Sequence, residues 1–255
     1  KEGMRLSLIS KIQRFLLREL FKLFEPKRGS LFSNSCKEIL WPRRSIKYID
    51  QYKCIFVHIP KCAGISISQS LFGEVSKAHR SIQEYKSIYP AKDFSEYFKF
   101  TFVRNPWDRL VSSFIFLRNG GMNIWDKKWA SLNLLDFKDF DSFVHGWLRR
   151  ENITSWFHFI PQYQYIYLKN GTIPLNFIGS YENLNDDFDY LCDRFSINVE
   201  LLRLNVSPLE GNDYRKYYTA ETRRIVAEVY AEDIAMLGYS FDFSIPNICK
   251  KYDAR

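Results

Sequence analysis

The stretch Cys54-Ile55-Phe56-Val57-His58-Ile59-Pro60-Lys61-Cys62-Ala63-Gly64-Ile65-Ser66 decides the fold. Its first four residues form a short apolar run that suits a strand buried on both faces. A small-residue loop follows, and Gly64 to Leu71 then reads as a helix. A strand feeding such a loop and helix is a phosphate-binding arrangement. The first backbone N–H groups of the helix face the anion, and the helix dipole favours negative charge. Gly64 lets the backbone come close, Ser66 offers a hydroxyl, and Lys61 offers a point charge. Lys61 precedes Gly64, so this is not the triphosphatase loop, in which the lysine follows the second glycine and a hydroxyl takes magnesium.

Working outward, Phe100-Thr101-Phe102-Val103 reads as a second buried strand and Trp107 to Leu117 as a second helix. Arg104 stands at the end of that strand, and Pro106 suits the first helical turn. Ser112 lies eight residues beyond Arg104. Arg104 gives a planar fork for a phosphate, and Ser112 adds a hydroxyl donor. Arg109 reads as a partner of acidic neighbours. Asn176 to Gly179 suggests a third strand, followed by a helix near 183–195. Thr219 is placed to cap a helix running to about Met236. This alternation predicts an α/β protein: a P-loop-like, three-layer fold with a central parallel sheet flanked by helices.

The length of 255 residues and a 46% hydrophobic content support one domain with a substantial core, and 17% aromatic residues argue against disorder. The net charge of +8 is unevenly spread. Residues 1–50 carry 12 basic and 5 acidic side chains, so the remainder is near neutral and nucleic acid is not an expected partner. Residues 5–24 read as a basic amphipathic helix. It either lies on an anionic membrane surface as a peripheral contact or packs on the domain with its basic face in water. A linker runs to about Asp50, the domain spans 51–245, and 246–255 form a tail. No apolar run is long enough to span a bilayer. Five cysteines without a CxxC pair read as free thiols, and no spacing of His, Cys and Asp suggests a metal site.

Together, Pro60-Lys61-Cys62-Ala63-Gly64-Ile65-Ser66 and the Arg104/Ser112 pair resemble the sulfotransferases that use 3′-phosphoadenosine 5′-phosphosulfate (PAPS). The branch they resemble contains Golgi carbohydrate sulfotransferases and their bacterial relatives. The order of the two segments and their separation of roughly forty residues also fit. Further similar segments are Pro161-Gln162, Gly179-Ser180-Tyr181-Glu182-Asn183-Leu184 and Gly238-Tyr239-Ser240-Phe241, so the resemblance covers about residues 52–242. It implies that Lys61, Gly64, Ile65 and Ser66 hold the phosphosulfate end of the donor, and that Arg104 and Ser112 hold its 3′-phosphate. Cys62 and Ile65 stand where the family often has threonines, which removes two hydroxyl donors and leaves the work to the backbone. The implied reaction is in-line transfer of a sulfuryl group to a hydroxyl, on a carbohydrate by the family branch, without a metal.

Such a transfer benefits from a base beside the acceptor hydroxyl. The histidines are His58, His79, His145 and His158. His79, soon after the loop helix, is the expected base, as some carbohydrate sulfotransferases place a catalytic histidine there. His58 either touches the acceptor or buttresses the loop, His158 either lines the acceptor cleft or sits in the core, and His145 reads as helix packing. Tyr214, Tyr217 and Tyr218 are either a cover for the nucleotide or a packed aromatic cluster. Competing readings are a small-molecule P-loop kinase and an inactive nucleotide-binding protein of the same fold. The compartment stays open between cytoplasm, membrane surface and, for a eukaryotic chain, the Golgi lumen.

Overall fold

The computed structural model describes residues 47–76, 78–204 and 213–242. The helix expected over 5–24 and the tail at 246–255 lie outside these residues. Three strands, β1 (Cys54–Val57), β2 (Phe98–Val103) and β3 (Phe177–Ser180), form a parallel sheet in the order β1-β2-β3. The apolar runs place them: every residue of β1 and β3, and all but the first of β2, is buried. Strands buried throughout need cover on both faces, which the flanking helices supply.

Helix α1 (Lys47–Tyr52) leads into β1, and α2 (Gly64–Phe72) leaves the loop that follows it. Tyr48 and Ile49 are buried in the core around the sheet, so α1 straddles the boundary expected at residue 50. The crossover to β2 carries α3 (Ile82–Ile88) and α4 (Ala91–Glu96). Beyond β2 come α5 (Pro106–Arg118), α6 (Ile124–Asn133), α7 (Phe140–Gly146) and the short α8 (Tyr163–Ile166). Helix α9 (Leu184–Phe195) follows β3, and α10 (Ala220–Val229) and α11 (Ala231–Leu237) close the described chain. A second core, rich in Trp107, Trp129, Phe143, Trp147 and Phe159, gathers α5, α6, α7 and α10.

The last helix differs from the sequence reading. The helix expected from Thr219 to about Met236 is two helices, interrupted at Tyr230. Tyr230 is buried, and its hydroxyl donates to the Phe159 carbonyl at 2.8 Å. Tyr214 and Tyr218 pack on Phe241 and donate to the Phe241 and Trp107 carbonyls, so they belong to the aromatic core. Among the described residues, no helix is long and apolar enough to cross a membrane.

Candidate active site

The carboxyl ends of parallel strands are where α/β folds hold ligands. Here β1 delivers His58 to Gly64, β2 delivers Arg104, and β3 delivers Tyr181 and Glu182 to one cavity of about 330 Å³. All nine candidate residues from the sequence line it: His58, Lys61, Gly64, Ile65, Ser66, His79, Arg104, Ser112 and His158.

The loop takes an unusual path. Lys61 and Ala63 both have positive φ, 68° and 58°, although neither is glycine. Such conformations cost of order 1–3 kcal/mol each and persist only where the surroundings enforce them. Ala63 is the N-cap of α2 and offers no side-chain acceptor, so the first N–H groups of the helix remain for an anion. Gly64 is required by space. A Cβ there would lie 2.0 Å from the His58 ring. That ring is buried and fixed by its Nδ1–H, which donates to the Ser76 carbonyl at 2.8 Å. His58 is thus the buttress of the loop.

Three cations meet here. Lys61 sits half-buried with Nζ 3.9 Å from the Phe116 ring centre, and its pKa is pushed down to about 7 by burial and by the Arg104 charge. Arg104 is buried and donates through Nε and Nη2 to Asp108, both at 2.8 Å, and through Nη1 to the Lys61 carbonyl at 3.2 Å. The Tyr181 ring covers its guanidinium at 3.8 Å. Among the described residues, three of its five N–H donors are therefore engaged, and two remain. The expectation for Arg109 needs correction. It is buried and donates to backbone carbonyls, Pro60 at 3.0 Å and His158 at 3.3 Å, while the acidic partner on this helix goes to Arg104. Arg109 ties the loop down.

The hydroxyls divide. Ser112 is buried, and its Oγ has no hydrogen-bond partner among the described residues. An orphaned hydroxyl in a cavity wall with two cations is a fit for a ligand oxygen. Ser66 instead both donates to the Leu204 carbonyl and accepts the Leu204 N–H, each at 3.1 Å. Ser70 accepts the Leu202 N–H at 2.8 Å, so α2 holds the 202–204 segment against the cavity.

Three of the four histidines line the cavity. The Nδ1 of His79 contacts the His58 carbonyl at 3.0 Å. A carbonyl only accepts, so Nδ1 carries the proton and Nε2 keeps its lone pair. Burial holds His79 below its ordinary pKa and pushes His158 down to about 4, so both are neutral near pH 7. Phe157 stacks on the His79 ring and packs at a tilt on that of His158, which lies 3.4 Å from the buried Asp126. His145 lies apart, between Asp141 and Glu221.

Sequence reasoning missed what locks these groups. Gln162 Oε1 accepts the Arg104 backbone N–H at 2.9 Å and the Cys62 thiol at 3.5 Å, while Nε2 donates to the Arg104 carbonyl at 2.8 Å. Asp233 accepts the N–H groups of Gln162 and Tyr163, both at 2.8 Å. Glu182 accepts the Asn105 N–H at 2.7 Å and the Tyr239 hydroxyl at 2.9 Å. The segments containing Gln162, Glu182 and Tyr239 thus converge on residues 104 and 105.

A family model described as the sulfotransferase family matches residues 44–240. The chain belongs to the sulfotransferase family. Membership implies a PAPS-dependent transferase acting on a hydroxyl acceptor, and it removes the kinase reading. An uncharacterized protein of Archaeoglobus fulgidus is 30% identical over 128 residues, covering 49% of this chain and 88% of that protein. No solved structure matches the chain. Among the described residues of this sulfotransferase, no group of three or more His, Cys, Asp or Glu is placed to hold a metal ion.

Proposed function

We propose that this sulfotransferase moves the sulfuryl group onto a carbohydrate hydroxyl with His79 as the base and Lys61 as the charge that answers the leaving phosphate. The observation that carries the proposal is the anchored His79 ring. Its Nδ1–H is spent on the His58 carbonyl, which leaves Nε2 as a neutral acceptor in the same cavity as Lys61. The donor supplies an activated sulfur–oxygen bond. The chain supplies positioning and charge. As the acceptor oxygen bonds to sulfur, its proton passes to His79 Nε2. The sulfur–phosphate oxygen bond breaks, and negative charge grows where Lys61 and the first N–H groups of α2 face it. Arg104, with two N–H donors left, and the unpartnered Ser112 hydroxyl read the 3′-phosphate. His158 lines the acceptor side, and His58 acts through the loop and the His79 ring.

The test combines two variants with an acceptor screen. His79→Ala should lose about 10²–10⁴ in turnover while donor affinity stays similar. Lys61→Ala should lose both turnover and donor affinity. With radiolabelled donor and a panel of glycans, tyrosine peptides and simple alcohols, label should enter sugar hydroxyls. Parallel loss of donor binding in His79→Ala, or label confined to non-sugar acceptors, refutes the proposal.

A further inference from the structure

The exposed apolar side chains of this protein are not scattered. Met122, Ile124, Trp125, Leu132 and Leu135 are between 59% and 77% exposed and fall within fourteen residues on and around α6. Unlike an ordinary surface helix, this one is apolar on its outer face as well as its inner one. Asp126, Trp129 and Ala130 face inward, whereas Ile124, Trp125 and Leu132 share the outer face with Lys128 between them. A second exposed apolar group, Val199, Leu202 and Leu204, belongs to the segment that α2 holds in place. The two groups are joined by the active site, because Met122, Leu202 and Leu204 all line the cavity.

We infer that this apolar collar docks on an anionic lipid bilayer, with the cavity mouth facing the headgroups. Contiguous exposed apolar surface marks an interaction site. Its charge selects the occupant. The exposed charges within 122–135 are Lys127 and Lys128, since Asp126 is buried against His158. Beyond the stretch, Asp136 and Asp139 are offset by Lys138 and by Arg118, which donates to the Phe137 and Lys138 carbonyls, and in the second group Glu200 is offset by Arg203. A second copy of the chain would bring like charges together at the patch. An anionic headgroup layer attracts them while its acyl boundary takes Trp125, Ile124 and Leu132, which is the pattern of an interfacial helix. The inference deepens the transferase reading, since it places acceptor hydroxyls at headgroup depth, and it rests on that reading for what the cavity does.

The test uses the full chain and a triple variant, Ile124→Ser, Trp125→Ser and Leu132→Ser, none of which lines the cavity. Flotation is measured with vesicles of phosphatidylcholine alone and of equal parts phosphatidylcholine and phosphatidylglycerol. The wild type should float with the anionic vesicles and less with the neutral ones, and the triple variant should bind at least about tenfold more weakly. Calorimetric titration with PAPS, without vesicles, should be unchanged in the variant, which also reports that it folds. Absence of wild-type flotation, equal flotation of the variant, or a concentration-dependent dimer that the variant abolishes overturns the inference. Loss of PAPS binding in the wild type with flotation intact would instead sink the transferase reading of the cavity and leave the docking surface standing.

Discussion

Replacing Arg104 by Met together with Asp108 by Asn asks whether Arg104 reads the 3′-phosphate. The pair must be changed together. The two side chains are 5% and 15% exposed and bonded at 2.8 Å, so Arg104→Met alone would strand a carboxylate beside the cavity. That costs several kcal/mol and repels any nucleotide. In the double variant no net charge is stranded. Arg104 has two N–H donors left for a ligand, and one charge-assisted hydrogen bond contributes on the order of 1.5–3 kcal/mol. Losing it should weaken PAPS binding roughly ten- to a hundredfold or more. Adenosine 5′-phosphosulfate lacks the 3′-phosphate, so its binding should change much less. Asp108→Asn alone keeps the cation and releases its fork, so PAPS should bind as tightly as before or more tightly. The assay is calorimetric titration of both nucleotides into all three proteins, with thermal melts to verify folding. Equal losses for the two nucleotides in the double variant would mean that Arg104 only supports the loop through the Lys61 carbonyl.

Lys61 should make donor binding pH-dependent. Its pKa is about 7 in the free protein and must rise beside a polyanion, so affinity is flat below pH 7 and falls above it by up to about tenfold per unit. Titrations at pH 8 in buffers of different ionisation heat should show proton uptake, and Lys61→Arg should remove it; a flat profile in the wild type contradicts the assignment. Gly64→Ala drives a methyl to within 2.0 Å of the pinned His58 ring, so it should destabilise by about 1–3 kcal/mol and misplace His79. An unchanged melting temperature and turnover would show that the ring can yield. Gln162→Ala leaves the buried Arg104 N–H and carbonyl without partners, at about 1–3 kcal/mol each, and should lower denaturant stability before any effect on chemistry.

The sheet was legible because buried parallel strands are written as apolar runs: Cys54 to Val57 matches β1 residue for residue, and β3 is displaced by one. The residues around the cavity were legible because glycine, lysine and arginine at strand ends have few alternative uses in such loops. What escaped the sequence is mostly a matter of acceptors. Arg109 and Ser66 bond to the carbonyls of Pro60, His158 and Leu204, and a backbone carbonyl has no letter. A basic residue near acids therefore reads as an ion pair until the chain path is known. Gln162, Glu182 and Asp233 escaped for another reason. Each acts on backbone 58 to 77 positions away, and no local period encodes such distances. The break at Tyr230 likewise follows from a tertiary bond to Phe159 rather than from a breaker residue.

The same arrangement explains why the cavity suits an anion before any ligand arrives. Lys61, Arg104 and Arg109 converge on the loop, and among the described residues only Arg104 has a carboxylate of its own. Lys61 loses proton affinity through burial and through its cationic neighbours, which is what an under-compensated positive site does. Glu182, which also lines the cavity, is itself turned to Asn105 and Tyr239, and burial pushes its pKa up to about 6, so it is a poor counter-charge. A polyanion at the start of α2 supplies the missing charge and relieves the repulsion at once. Its binding therefore draws on unfavourable electrostatics already built into the folded state, and a donor at a hundred times its Kd would stabilise the fold by about 2.7 kcal/mol. On the proposed reading, the cations that would hold the donor, Lys61 and Arg104, are thus ones that already repel each other in the loop. In the reaction they face increasing negative charge without having to reorganise.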